Sequence, residues 1–242
     1  MGWLVLALAG CPALVLAGDD AALQKGSVPK QLASNLERDE DAKIATKSPS
    51  DALVVYRPPS RGAPRRRTGG STRAAGIGLA LHALAPDHVA RTARAAPSLY
   101  WHINSAPPAH ARAVFTLIDD ESIDPIASFD LPTPNATGIQ RISLADHGVT
   151  LKPGVEYEWS VSIVLDPDRR SRDVVSQGWL RRVEAPQLDA DATPIATLAQ
   201  LSLWYDALER LSQDIDASPN DTTLRAQRNG LLRQVGLSGA VE

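Results

Sequence analysis

The sequence predicts a mainly β protein, a two-sheet β-sandwich followed by a C-terminal α-helical hairpin. Two observations carry that expectation. Between residues 79 and 185, short apolar segments alternate with turn chemistry, and "VEYEWSVSIVL" puts Val155, Tyr157, Trp159, Val161, Ile163 and Leu165 on one face and Glu156, Glu158, Ser160 and Ser162 on the other. After Glu184 the apolar period lengthens to that of a helix. With 43% hydrophobic and 22% charged residues, the 242-residue chain has the composition of a folded soluble protein able to bury a core.

The N-terminus opens on an apolar run over residues 3–17 that Pro12 interrupts and that is too short for a membrane span, so residues 1–17 read as a signal peptide and the mature protein has no transmembrane segment. Val15 and Ala17 supply the small residues before a cut at Gly18, although no Lys or Arg precedes Lys25. "LAGC" offers an alternative, a lipoprotein anchored at Cys11. Both routes place the protein in the periplasm or cell envelope. Cys11 is the only cysteine, which leaves no thiol in the folded part for a disulfide or a nucleophile. Residues 18–55 are polar and charged and read as a flexible segment.

Residues 56–78 form an Arg/Gly/Pro-rich arm. Its centre, "RGAPRRRTGGSTR", holds Arg61, Arg65, Arg66, Arg67 and Arg73 with no acidic residue and no apolar face to bury, so it binds something outside itself or lies across its own domain. Net charge is -3, so the arm is a local basic feature and nucleic acid is not its expected partner.

The sandwich over residues 79–185 takes its strands from 79–84, "SLYWHI", "RAVFTLID", 125–131, 138–144, "VEYEWSVSIVL" and 173–184. "LKPGVEYEW" resembles the approach to a late strand of fibronectin type III and immunoglobulin-like domains, where a tyrosine hydroxyl returns to backbone a few residues upstream. Tyr157 fits that position, and Trp101 resembles the core tryptophan of an early strand. In the hairpin, residues 193–237, Thr193 is the expected N-cap and Pro194 the first helical position of one helix running through Ile215. A second helix follows "SPND" and ends at Gly236.

Four stretches taken together, the arm, "LAPDHVARTARAAPSLYWHI", the pair "YEWSVSIVLDPDRRSRD" and "GWLRRVE", and "LWYDALERL" with "LLRQVGL", resemble the domain of unknown function 928 family of bacterial, mainly cyanobacterial, exported proteins. The resemblance covers roughly residues 57–237. It implies an envelope location and, since the family has no assigned reaction, a non-catalytic role.

The arm's arginines are the candidate binding residues, toward an envelope protein or an anionic polysaccharide or lipid surface, because guanidinium forks pair with carboxylate and phosphate. The competing reading straps the arm onto acidic loops of the same domain, such as Asp119-Asp120 or "DPDRRSRD". Asp166, Asp168 and Asp173 read better as turn residues than as a calcium loop, for lack of the glycine and terminal glutamate that such a loop needs. The histidines His82, His88, His102, His110 and His147 are scattered and read as surface or loop positions. No metal site, cofactor motif or nucleophile motif stands out, so no metal and no cofactor are expected. Trp204-Tyr205-Asp206 reads as packing on the helix. An envelope enzyme acting on glycans with carboxylates such as Glu156 and Glu158 is the alternative to a binding module.

Overall fold

In a computed structural model, the structure describes residues 54–60, 70–71, 78–120, 122, 124–185 and 187–240. The leader, Cys11, Arg61, Arg65, Arg66, Arg67 and Arg73 lie outside the described residues. The protein is mainly β, with two sheets and C-terminal helices.

The strands are β1 (Gly70–Ser71), β2 (Ala80–Ala83), β3 (Ala90–Thr92), β4 (Ser98–Ile103), β5 (Arg112–Asp119), β6 (Ala127–Leu131), β7 (Gly138–Ser143), β8 (Glu156–Val164) and β9 (Val174–Arg182). One sheet has the order β1-β2-β4-β7 and the other β3-β9-β8-β5-β6. Every pairing is antiparallel except that of β3 with β9. All seven segments expected from the sequence are strands, and β1 and β3 are additional.

Alternation decides which residues enter the core. On β8, Tyr157, Trp159, Val161 and Ile163 are buried and the residues between them half-buried, and Val164 at the strand's end is buried too. Ala113, Phe115 and Leu117 do the same on β5. Strand β4 differs, because all six of its residues are buried. Leu99, Trp101 and Ile103 join the hydrophobic cluster between the strands, while the alternate residue Ser98 bonds to the helical layer. The Tyr157 hydroxyl accepts from the Lys152 N–H at 2.8 Å, five residues upstream, which pins the approach to β8.

Gly178 on β9 faces Trp159 on β8. A Cβ there would stand 2.6 Å from the Ala85 Cβ and 2.9 Å from Trp159 Nε1, so only a glycine lets the indole pass. That opening is used by the helices.

The expected single helix from Pro194 to Ile215 is instead two. Helix α1 spans Ile195–Gln200 and α2 spans Trp204–Ala217; α3 follows at Thr222–Gln234. Pro194, not Thr193, is the N-cap residue of α1, and the Thr193 hydroxyl donates to the Asp189 carbonyl at 2.6 Å. The break is a helix stop. Ser202 takes φ 66°, its N–H donates to the Ala199 carbonyl at 3.2 Å, and the Leu203 N–H donates to the Leu198 carbonyl at 3.0 Å. Gly236, φ 75°, ends α3 with the same pattern, the Leu237 N–H reaching the Leu232 carbonyl at 3.0 Å. Asp221 caps the start of α3 by accepting from the Thr223 and Leu224 N–H groups at 2.8 and 3.3 Å.

Strands and helices share one hydrophobic cluster, which also includes Val54 and Tyr56. The stretch around those residues is tied down. Gln234 accepts from the Tyr56 N–H at 2.9 Å and donates to the Val54 carbonyl at 2.8 Å, and the Arg57 N–H donates to the Ala199 carbonyl at 3.1 Å. The Tyr56 ring stands edge-on to Trp204, with centroids 5.0 Å apart. Residues 54–57 therefore belong to the folded body, whereas the sequence places residues 54 and 55 in the flexible segment and 56 and 57 in the arm.

Candidate functional site

The densest polar constellation lies where α2 meets the sheets. Trp204, Tyr205, Asp206 and Glu209 are all buried there, and each carries a hydrogen bond to the β body. Trp204 Nε1 donates to the Leu84 carbonyl at 2.9 Å. Trp159 Nε1, reaching past Gly178, donates to Tyr205 Oη at 2.9 Å, and that hydroxyl donates to the Trp179 carbonyl at 2.9 Å. The Ala93 N–H is shared between the two Asp206 carboxylate oxygens at 3.1 and 3.2 Å. Glu209 accepts from the Ser98 N–H at 3.1 Å and from the Ser98 hydroxyl at 2.7 Å, and lies 3.3 Å from Arg94 Nε.

Burial sets the electrostatics of this contact. It pushes Asp206 up to about 6, against the Thr92 hydroxyl, the Ala93 N–H and the Arg94 charge, which favour the carboxylate. It raises the Tyr205 phenol well above its ordinary range, so the hydroxyl stays a donor. Arg94 also binds Asp191, holding that exposed carboxyl below the usual range. The Trp204-Tyr205-Asp206 stretch is thus packing and fastening, as its helical spacing suggests.

Farther along α2 the polar groups open onto a cleft. Its walls include Tyr100 from β4, Arg141 from β7, Ser212 and Ile215 from α2, and Arg225 and Arg228 from α3, around a volume of about 350 Å³. Nothing in the sequence singled out these residues. They come from four elements and become neighbours only once α2 and α3 cover β4 and β7.

The other candidates fall as follows. Asp166 Oδ1 accepts from the Asp168 N–H at 3.1 Å, and Asp173 pairs with Arg170 at 2.6 Å, so these carboxylates hold a turn and a 3-10 segment. Among the described residues no group of three His, Cys, Asp or Glu side chains is placed to share an ion. Glu156 and Glu158 sit half-buried on β8, Glu156 lying 3.5 Å from Arg181. The histidines correct the surface expectation in part. His102 is buried on β4 opposite His82 of β2, His88 hydrogen-bonds to the Tyr56 hydroxyl at 2.9 Å, and burial lowers its pKa. His147 stacks on Phe129, and His110 is exposed.

Of the arm, the structure describes residues 56–60, Gly70–Ser71 and Gly78. Gly70 and Ser71 pair antiparallel with Leu81 and Ala80 at the edge of the first sheet. The stretch at 54–57 is held by α1 and α3, and β1 is held by β2. No helix among the described residues is long and apolar enough to cross a membrane.

Fold and site together define a two-sheet β protein closed by three C-terminal helices, with a buried polar fastening and an arginine-lined cleft under the second and third. The chain belongs to the DUF928 family: the family model described as Domain of Unknown Function (DUF928) matches residues 60–242. No curated protein and no solved structure matches it.

Proposed function

We propose that this protein is an exported cell-envelope binding or assembly module rather than a catalyst. Its β body is a fibronectin type III or immunoglobulin-like sandwich, α2 and α3 form a helical hairpin on it, and the Arg/Gly arm is the contact for an anionic partner. The fold reading is supported by the order β3-β9-β8-β5-β6 beside β2-β4-β7, by the parallel edge strand β3, and by the Tyr157 hydroxyl bonded back to Lys152. Export is supported by the apolar run over residues 3–17, with Cys11 as the alternative anchor.

One observation carries the binding reading: the described residues on either side of Arg61, Arg65, Arg66 and Arg67 are bonded to the folded body, Tyr56 to Gln234 and β1 to β2. A basic segment tethered on both sides costs less ordering entropy on binding than a free tail does. The same pairing favours a second reading, in which the arm straps its own sheet edge.

Replacing Arg65, Arg66 and Arg67 with Ala separates the two. For a recognition loop, capture on anionic polysaccharide or on vesicles with acidic headgroups should fall and weaken further as salt rises, while the melting temperature stays within about 2 °C of the parent. A strap gives the opposite pattern, a lower melting temperature with capture intact, and that result would discard the recognition reading.

A further inference from the structure

The cleft under α2 and α3 combines three features that the fastened part of α2 lacks. The first is a pair of buried hydroxyls. Tyr100 and Ser212 are each 3% exposed, and their oxygens lie close enough to influence one another, yet neither makes a hydrogen bond of normal geometry with any other described residue. Burial, reinforced by the Glu209 charge, pushes the Tyr100 phenol up to about 12, so it is a proton donor throughout the physiological range.

The second feature is charge. Arg141, Arg225 and Arg228 line the cleft against the single carboxylate of Asp216. Two of these guanidinium groups are oriented by hydrogen bonds to the protein. Arg141 Nε donates to the Ser98 hydroxyl at 3.0 Å, and that hydroxyl in turn donates to Glu209; Arg225 donates to the Pro219 carbonyl at 2.7 Å. A guanidinium has five N–H donors in a fixed fork, so one holding bond leaves others to meet an oxyanion. The third feature is a mixed wall. Ile139 and Ile215 supply apolar surface beside the arginines, and the volume of about 350 Å³ lies at the small end of ligand sites.

We propose that this cleft binds a small oxyanion ligand, a carboxylate or phosphate group on a short apolar stem, with Arg141 and Arg225 pairing with the oxyanion, Tyr100 and Ser212 donating to it, and Ile139 and Ile215 bearing the stem. An oxyanion supplies an acceptor of normal geometry to a hydroxyl pair that has none beyond one another, and the charges of Arg141 and Arg225 compensate its desolvation. The residues named in this site all lie outside the arm, so its probes are tested independently of the arm's arginines.

Calorimetric titration of the full chain with two probes, inorganic phosphate and butyrate, tests it. One-to-one saturable binding of at least one probe is expected; phosphate alone identifies a bare oxyanion site, and butyrate alone identifies a carboxylate that needs its stem. Tyr100→Phe should weaken binding about tenfold, the loss of one hydrogen bond to a charged group, and Arg141→Gln should weaken it by more. Both side chains can change without opening the core, and melting of each variant near the parent value shows that the fold is intact. The protein with Arg65, Arg66 and Arg67 replaced by Ala should bind the probe as the parent does. No saturable binding of either probe up to about 10 mM overturns the proposal. So does binding that Tyr100→Phe and Arg141→Gln leave unchanged, or binding that disappears with the arm's arginines.

Discussion

The two ends of α2 use buried polar groups in opposite ways. Over its first two turns Trp204, Tyr205, Asp206 and Glu209 each reach a defined partner on the β body, so the helix has one orientation and one depth. Over its last turns Ser212 and the neighbouring Tyr100 hydroxyl line an open cleft with no hydrogen bond of normal geometry. A buried donor with its acceptor contributes to stability and fixes geometry, whereas one without a partner costs about 1–3 kcal/mol. One helix can therefore be a fastener at one end and the roof of a site at the other. The first end explains how the helices are held; the second is where a ligand has something to gain.

The largest effect should come from the fastened end. Trp204→Ala removes a fully buried indole from the shared cluster and leaves the Leu84 carbonyl without its donor, a loss of about 3–5 kcal/mol in urea denaturation. A midpoint unchanged from the parent would mean that α2 is not fastened as described.

A matched pair of phenylalanine substitutions sharpens the contrast. Tyr205→Phe strands both the Trp159 indole N–H and the Trp179 carbonyl in the interior and should cost about 1–3 kcal/mol. Tyr100→Phe removes a hydroxyl with no normal hydrogen bond and should leave stability nearly unchanged, or raise it slightly. Equal losses at the two positions would break the comparison.

The fastened end was partly visible in the sequence and the open end was not, for physical reasons that particular residues show. Strand alternation depends on nearest neighbours, so β8 and β5 were readable from a few residues each. Gly236 announced the end of α3, because glycine is the residue that adopts a positive φ without penalty. The identical stop at Ser202 carried no such mark, and a continuous apolar stripe ran across it. Strand β3 was missed because three residues paired in parallel to β9 leave no pattern of their own. "SLYWHI" gave a hint that was not used: a strand with large or polar-aromatic residues on both faces has something covering both. The role of residues 54–57 and the cleft both depend on elements far apart in the chain, and local periodicity does not report which of them meet.

The smallest expected effect isolates one bond of the fastening. Burial holds Asp206 near 6 in the folded protein against an ordinary 3.8, so the folded state binds this proton more tightly than the unfolded chain does. The sign follows by linkage. The contribution is fully present below about 3.8 and is lost as pH rises through about 6, so on this account acidification from pH 7 to 5 should strengthen the fold by about 1 kcal/mol. His88 acts in the opposite direction over the same window. Burial lowers its pKa, so its contribution is present at neutral pH and fades as pH falls below its ordinary 6.5. The raw pH profile of the parent therefore mixes the two. Asp206→Asn separates them, because the amide oxygen still accepts from the Ala93 N–H while nothing at that position titrates. Subtracting the variant's denaturation free energies from the parent's at pH 7, 6 and 5 should give a difference that moves in the parent's favour by about 1 kcal/mol toward pH 5. A flat difference would show that burial does not hold the Asp206 proton in the folded state, and the distinction between the two ends of α2 would lose its electrostatic half.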